Sequence, residues 1–337
     1  VCALTLFKSL TKGLGIKMKN RKITTKIDSI TNIPDSHMAA VIPAPKAVKI
    51  EISPRCNFRC NFCALTTRDH QPRDDMDLDF FKRITKDMRV AGVEEVGMFY
   101  IGESFMNIDL LEAAIKYLKD ELQMPYVFLT TNGSVATPDK VKRVMAAGLD
   151  SLKFSVNAEN KENFVKVMAA KPIFFDRLFN NIKTAREIRD AGNYDCGIYA
   201  SSIKYDGDQL AKMEALLDEK VRPYVDEHYW LPLYSFGSYA GANEIKMGMF
   251  PTAGNMGRAD ALVEPLPCWC VFTEGHVTAD GKLSACGFDA DSHFTCADLY
   301  EVDFMTGWNS QTFTELRMAH LNKDVKGTVC EACIAYG

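Results

Sequence analysis

No stretch of the 337-residue chain reaches 18 consecutive apolar residues, so a membrane-spanning helix is not expected. Excess positive charge is absent too: 40 Lys and Arg stand against 44 Asp and Glu, a formal charge of −4. A phosphate backbone or an anionic lipid surface does not attract such a protein, which excludes a general nucleic-acid or membrane-surface binder. Small molecules or peptides remain as substrates. Internal repeats and low-complexity tracts are also lacking. What the chain has in quantity is cysteine, with eleven residues. Their clustering differs from that of a secreted disulfide framework. Cys56, Cys60 and Cys63 form one group, and Cys268, Cys286, Cys330 and Cys333 form a second that only folding could assemble. Cys2, Cys196, Cys270 and Cys296 stand outside both. Grouped thiols persist in a reducing compartment, so a cytoplasmic location is expected.

Residues 1–45 show no firm periodicity and read as an N-terminal extension. From there strand and helix alternate. Strands are predicted at 47–53, 95–101, 126–130, 151–156, 196–203 and 224–229. The helices between them are predicted at 78–90, 110–122, 138–147, 173–191 and 209–219. Thr137 is the expected N-cap of the third helix, with Pro138 at its first position and Gly148 at its end. Six βα repeats over 46–232 imply a parallel sheet with right-handed crossovers. Residues 233–265 are rich in Gly and polar residues and read as a linker or substrate-facing loop. In the remaining 266–337, Asp280-Gly281 supplies the residues of a type I′ hairpin turn, and a last helix is predicted at 310–321.

The first cysteine group reads CNFRCNFC from Cys56, a C-x3-C-x2-C between a strand and a helix. Three thiolates on a four-iron cube leave one iron open. That site can take the amino and carboxylate groups of S-adenosylmethionine, whose sulfonium is then cleaved to a carbon radical. Zinc is the structural alternative, although the trio has no nearby fourth ligand.

With Phe62 before the last cysteine, this motif resembles the signature of the radical S-adenosylmethionine superfamily over about residues 47–230. The resemblance implies a partial (β/α)6 barrel open at one side, with S-adenosylmethionine and a [4Fe-4S] cluster at the C-terminal ends of the strands. By the same resemblance Phe62 lies beside the adenine. Gly102 and Glu103 of IGES stand where relatives bind the methionine amino group, with Ile101 replacing a glycine. Ser155 and Asn157 match ribose contacts, and Ser201 or Ser202 would be near the methionyl carboxylate. An electron donor of flavodoxin or ferredoxin type is implied as partner.

Cys268-x17-Cys286 followed by Cys330-x2-Cys333 looks like a twitch domain, a shortened SPASM domain with one auxiliary [4Fe-4S] cluster; a full SPASM domain would continue past Cys333 with further cysteines. A four-cysteine zinc site is the alternative. The expected reaction is hydrogen abstraction from a small polar substrate of sugar or aminocyclitol type, followed by oxidation or epimerisation. Cys270 and Cys296 are the candidate hydrogen donors for the second fate, with Cys196 behind them. Modification of a ribosomally made peptide is the alternative activity, for which the first 45 residues look too short to hold a leader-binding domain. A non-catalytic metal-binding protein is the third reading. Arg222, His228, Tyr229, Trp230, Arg258, His276 and His293 are the polar residues that could line the substrate site.

Overall fold

The computed structural model describes residues 22–66, 68, 71–205, 207–232, 257–261, 264–289, 294–331 and 333. Cys2, His293 and most of the expected 233–265 loop lie outside the described residues.

Six strands pair in parallel in chain order: β1 (Ala47–Ile50), β2 (Glu95–Gly97), β3 (Tyr126–Thr131), β4 (Ser151–Ser155), β5 (Gly197–Ile203) and β6 (Glu227–Leu231). Their helix-facing side chains, including Val48, Ile50, Val96, Val127, Leu129, Leu152, Phe154 and Ile198, are fully buried. The alternate residues turn into the barrel and carry Lys49, Glu95, Tyr126, Lys153 and Tyr229. A two-sided buried sheet ordinarily has apolar residues on both faces, so a polar inner row marks a lumen.

The crossovers run through α2 (Leu78–Ala91), α3 (Ile108–Lys116), α4 (Pro138–Ala146), α5 (Lys161–Met168), α6 (Ile173–Gly192) and α7 (Gly207–Lys220). α2 illustrates why they form. Asp77 accepts from Phe80 N at 2.8 Å as N-cap, and Gly92 closes the helix at φ 105°. Between them Phe80, Phe81, Ile84 and Met88 bury one face, each contributing about 1.5–3 kcal/mol. Thr137 occupies the N-cap position of α4 as expected, but its side chain makes no capping bond.

Three elements differ from the sequence expectations. Residues 22–45 hold a helix, α1 (Ile23–Thr31), that packs into the barrel: Ile23 meets Tyr199 and Tyr229, and Thr24 Oγ1 donates to Glu227 at 2.7 Å. β2 is shorter than expected, because residues after Gly97 leave the sheet toward the cysteine loop. The hairpin joining β7 (Glu274–Val277) and β8 (Lys282–Ser284) is not a type I′ turn. Gly281 N donates to Thr278 O at 2.9 Å and Thr278 N to Lys282 O at 3.0 Å, with positive φ only at Gly281. That is a three-residue loop closed by a left-handed glycine.

The C-terminal segment also extends the barrel sheet. β7 pairs in parallel with β1, followed by antiparallel β8 and β9 (Thr295–Asp298), giving the order β6-β5-β4-β3-β2-β1-β7-β8-β9. α8 (Cys270–Thr273), α9 (Phe304–Trp308) and α10 (Gln311–Leu321) pack behind it. Fully buried Arg317 of α10 clamps this region by donating to Val271 O, Ala40 O and Trp308 O at 2.8–3.1 Å. No helix among the described residues is long and apolar enough to cross a membrane.

Candidate active site

The loop after β1 carries Cys56, Cys60 and Cys63, all partly buried. Phe58 anchors it, with its ring edge-on to Phe164 at 5.6 Å, while Asn61 N donates to Val167 O at 2.9 Å at the end of α5. Burial pushes the Cys56 thiol up to about 12 and raises Cys60 and Cys63 as well. The nearby Arg59 and Arg68 guanidiniums oppose the rise at Cys63. Thiols so placed ionise only against strong positive charge, which coordinated iron supplies. Phe58 N lies 3.4 Å and Asn132 Nδ2 3.9 Å from Cys56 Sγ, both as donors to the sulfur. The trio and its N–H donors therefore fit an iron–sulfur cluster.

The IGES segment lies directly against this loop. A Cβ on Gly102 would fall 1.9 Å from Ser53 O, and Glu103 N donates to Arg55 O at 2.8 Å, so only glycine permits the approach. Ile101 packs on Ala64 beside Cys63. The buried Glu103 carboxylate accepts from Thr131 Oγ1 at 3.0 Å, Asn132 N at 2.8 Å and Phe105 N at 3.2 Å; burial still holds its pKa above the usual range. The sequence reading missed Thr131, Asn132 and Ser134. The available signal was TTNGS at the end of β3, where Gly133 has φ 75° and a Cβ would strike Leu178.

At the next strand ends, Ser155 and Ser201 pair in register and turn inward, and Ser201 Oγ is buried without a partner among the described residues. Asn157 Oδ1 accepts from Ile203 N at 3.0 Å, tying β4 to β5. Ser202 turns to the opposite face, 3.0 Å from His228 Nε2. Phe62 packs against the main core.

In the second group, Cys268, Cys286 and Cys333 are partly buried and Cys330 is buried. Burial raises the Cys286 and Cys330 thiols first; Cys330, Cys333 and Asp289 add to the rise at Cys286, and Cys268 and Cys333 to that at Cys330. Such mutual repulsion reflects convergence. Among the described residues, in either cysteine region, no group of three or more His, Cys, Asp or Glu side chains is placed to hold a single metal ion. His320 joins two members of the set: Cys268 N donates to Nδ1 at 3.1 Å, and Nε2 lies 3.3 Å from Cys330 Sγ.

A cavity of about 270 Å³ lies in the barrel lumen between α1 and the second cysteine region. Lys49 pairs with Glu274 at 2.9 Å, and this ammonium together with His276 holds the Glu274 carboxyl down to about 2 despite burial. Cys270 lines the cavity, and its thiol is raised by contact with Cys268 and by burial. Cys296 and Cys196 are buried elsewhere. Of the broader lining candidates, Tyr229 and His276 face the cavity.

The radical SAM superfamily model matches residues 50–197, and the SPASM model, an iron-sulfur cluster-binding domain, matches 268–334. A probable GTP 3′,8-cyclase of Methanococcus maripaludis is 30% identical over 122 residues, 36% of this chain and 40% of that protein. The chain thus spans about two fifths of that relative's length. The fold is similar to Streptococcus suis SuiB bound to precursor peptide SuiA (TM-score 0.62, 16% identity, 94% of this chain and 73% of that one). It is also similar to BtrN in complex with AdoMet and 2-DOIA (TM-score 0.56, 14% identity, 86% and 92%).

Proposed function

We propose that this chain, which carries a radical SAM domain and a C-terminal SPASM iron–sulfur domain, abstracts a hydrogen atom from a small polar substrate of sugar or aminocyclitol type held in the barrel lumen. Its cofactors are S-adenosylmethionine, a [4Fe-4S] cluster and an auxiliary iron–sulfur cluster. When bound, they supply a 5′-deoxyadenosyl radical able to break an unactivated C–H bond.

Cys56, Cys60 and Cys63 would hold the first cluster, and Cys268, Cys286, Cys330 and Cys333 the auxiliary one. Gly102 and Glu103 would border the methionine amino group and Phe62 the adenine, while Ser155, Asn157 and Ser201 would line the ribose and carboxylate. An external flavodoxin- or ferredoxin-type protein supplies electrons.

The observation that carries the reading is the position of Cys270, buried on the wall of a metabolite-sized cavity in the barrel lumen. Return of the Cys270 hydrogen atom to a substrate radical forms a C–H bond and breaks S–H. One electron from the external donor and one proton then restore the thiol. The net change is epimerisation, with no oxidant required. Oxidation is the alternative fate where no hydrogen returns.

The test is turnover of a panel of sugars and aminocyclitols in deuterated buffer. Expected is a substrate that raises 5′-deoxyadenosine formation and gains one deuterium at the inverted carbon, with deuterium gain lost in Cys270→Ala. Turnover confined to peptides would overturn the small-substrate reading. The fold similarity to SuiB is the observation favouring that second reading.

A further inference from the structure

Among the described residues, the charges facing the lumen do not cancel. Lys26 pairs with Glu95 at 3.4 Å and Lys49 with Glu274 at 2.9 Å, but Lys153 has no carboxylate within ion-pair distance among the described residues. Its ammonium donates to Tyr229 Oη at 3.0 Å and lies 5.5 Å from that ring's centroid. Because the phenol oxygen is the acceptor there, the Tyr229 hydroxyl proton remains to be donated. Trp269 Nε1, another donor, lines the same cavity and is buried without a partner among the described residues. Buried His276 sets Nε2 3.1 Å from Glu274 and leaves Nδ1 without a partner among the described residues. A half-buried ammonium and a buried indole N–H without an acceptor are costly to keep unless a ligand completes them.

We infer that the lumen binds an oxyanion, a carboxylate or phosphate carried by the substrate, with Lys153 as its counter-charge and Tyr229 and Trp269 as neutral donors. This rests on the lumen being the substrate site and narrows the substrate class to acidic small molecules. Lys153 approaches from β4, Tyr229 from β6 and Trp269 from the segment next to Cys270. An anion held among them would fix a sugar-sized molecule beside the Cys270 thiol.

The experiment is calorimetric titration of the cluster-reconstituted chain, loaded with S-adenosylmethionine, using glucose 6-phosphate, glucuronate and glucose as probes. At least one acidic probe should bind ten-fold or more tightly than glucose, and the stronger of the two identifies phosphate or carboxylate as the favoured group. Lys153→Met should remove most of that preference, and Lys153→Arg should restore part of it, which separates lost charge from lost fold. Equal binding of all three probes, or an unchanged preference in Lys153→Met, would overturn the assignment. So would an equal loss of S-adenosylmethionine affinity in Lys153→Met, since the lysine would then serve the cofactor. No step depends on radical formation, so a failure here is distinguishable from a failure to release 5′-deoxyadenosine.

Discussion

Tyr100 Oη donates to the carbonyl oxygen of Cys286 at 3.1 Å and lies 3.2 Å from that of Asp289. The next residue, Ile101, packs on Ala64 beside Cys63. One short segment after β2 therefore touches both cysteine groups, which are more than 200 residues apart in sequence. Tyr100→Phe leaves two carbonyls without this donor and should cost about 1–3 kcal/mol in urea unfolding of the reconstituted protein. Iron should be lost preferentially from the auxiliary cluster. A variant with unchanged stability and iron content would show that the segment is not a strut.

His320 presents a fixed tautomer. Its Nδ1 accepts from Cys268 N, so Nε2 carries the proton and donates toward Cys330 Sγ at 3.3 Å. Burial holds the ring neutral, with its pKa pushed down to about 4. An N–H bond to a cluster sulfur stabilises the more negative, reduced state. With Cys330 a ligand as proposed, His320→Phe should lower the midpoint potential of the auxiliary cluster in an EPR redox titration. His320→Gln, which can retain a donor, should fall between it and the parent.

Gly102→Ala tests the close approach of IGES to the first cysteine loop. With Ser53 O 1.9 Å from the added Cβ, the loop must shift away. After reconstitution the variant should hold about four of the roughly eight irons of two cubic clusters. Full iron content with normal S-adenosylmethionine binding would contradict this role for the glycine.

His228 provides a pH signature remote from the cysteines. Burial, aided by the Arg222 charge, lowers its pKa from 6.5 to about 4. Between these values the unfolded state takes up a proton that the folded state refuses, so stability falls as pH drops from 6.5 toward 4. Above 6.5 both states are neutral and the effect vanishes. The melting temperature of His228→Gln should decline less than that of the parent between pH 7 and pH 5. Parallel declines would mean that the ring is not held neutral.

The parallel strands were legible because apolar residues recur in short runs between turn signals, and the first metal loop because its spacing is local. α1 was not. Its sequence ITTKIDSIT is rich in β-branched residues with modest helix propensity, and only packing against Tyr199 and Tyr229 settles its conformation. The pairing of β7 with β1 joins residues more than 220 apart, which no local pattern encodes. Lys153 looked like one polar residue in an alternating strand. That its face lines a lumen, and that Lys26 and Lys49 have carboxylate partners while it has none among the described residues, emerges only once α1 and the neighbouring strands are in place. His320 likewise reads as an ordinary helix residue until folding brings Cys268 and Cys330 to its two nitrogens.

Radical chemistry at the Cys56 cluster is tested most directly by anaerobic reconstitution followed by incubation with S-adenosylmethionine and dithionite, measuring bound iron and 5′-deoxyadenosine. Expected are about eight irons per chain and steady 5′-deoxyadenosine formation that Cys56→Ala abolishes. Bound zinc in place of iron, with no 5′-deoxyadenosine, would contradict it.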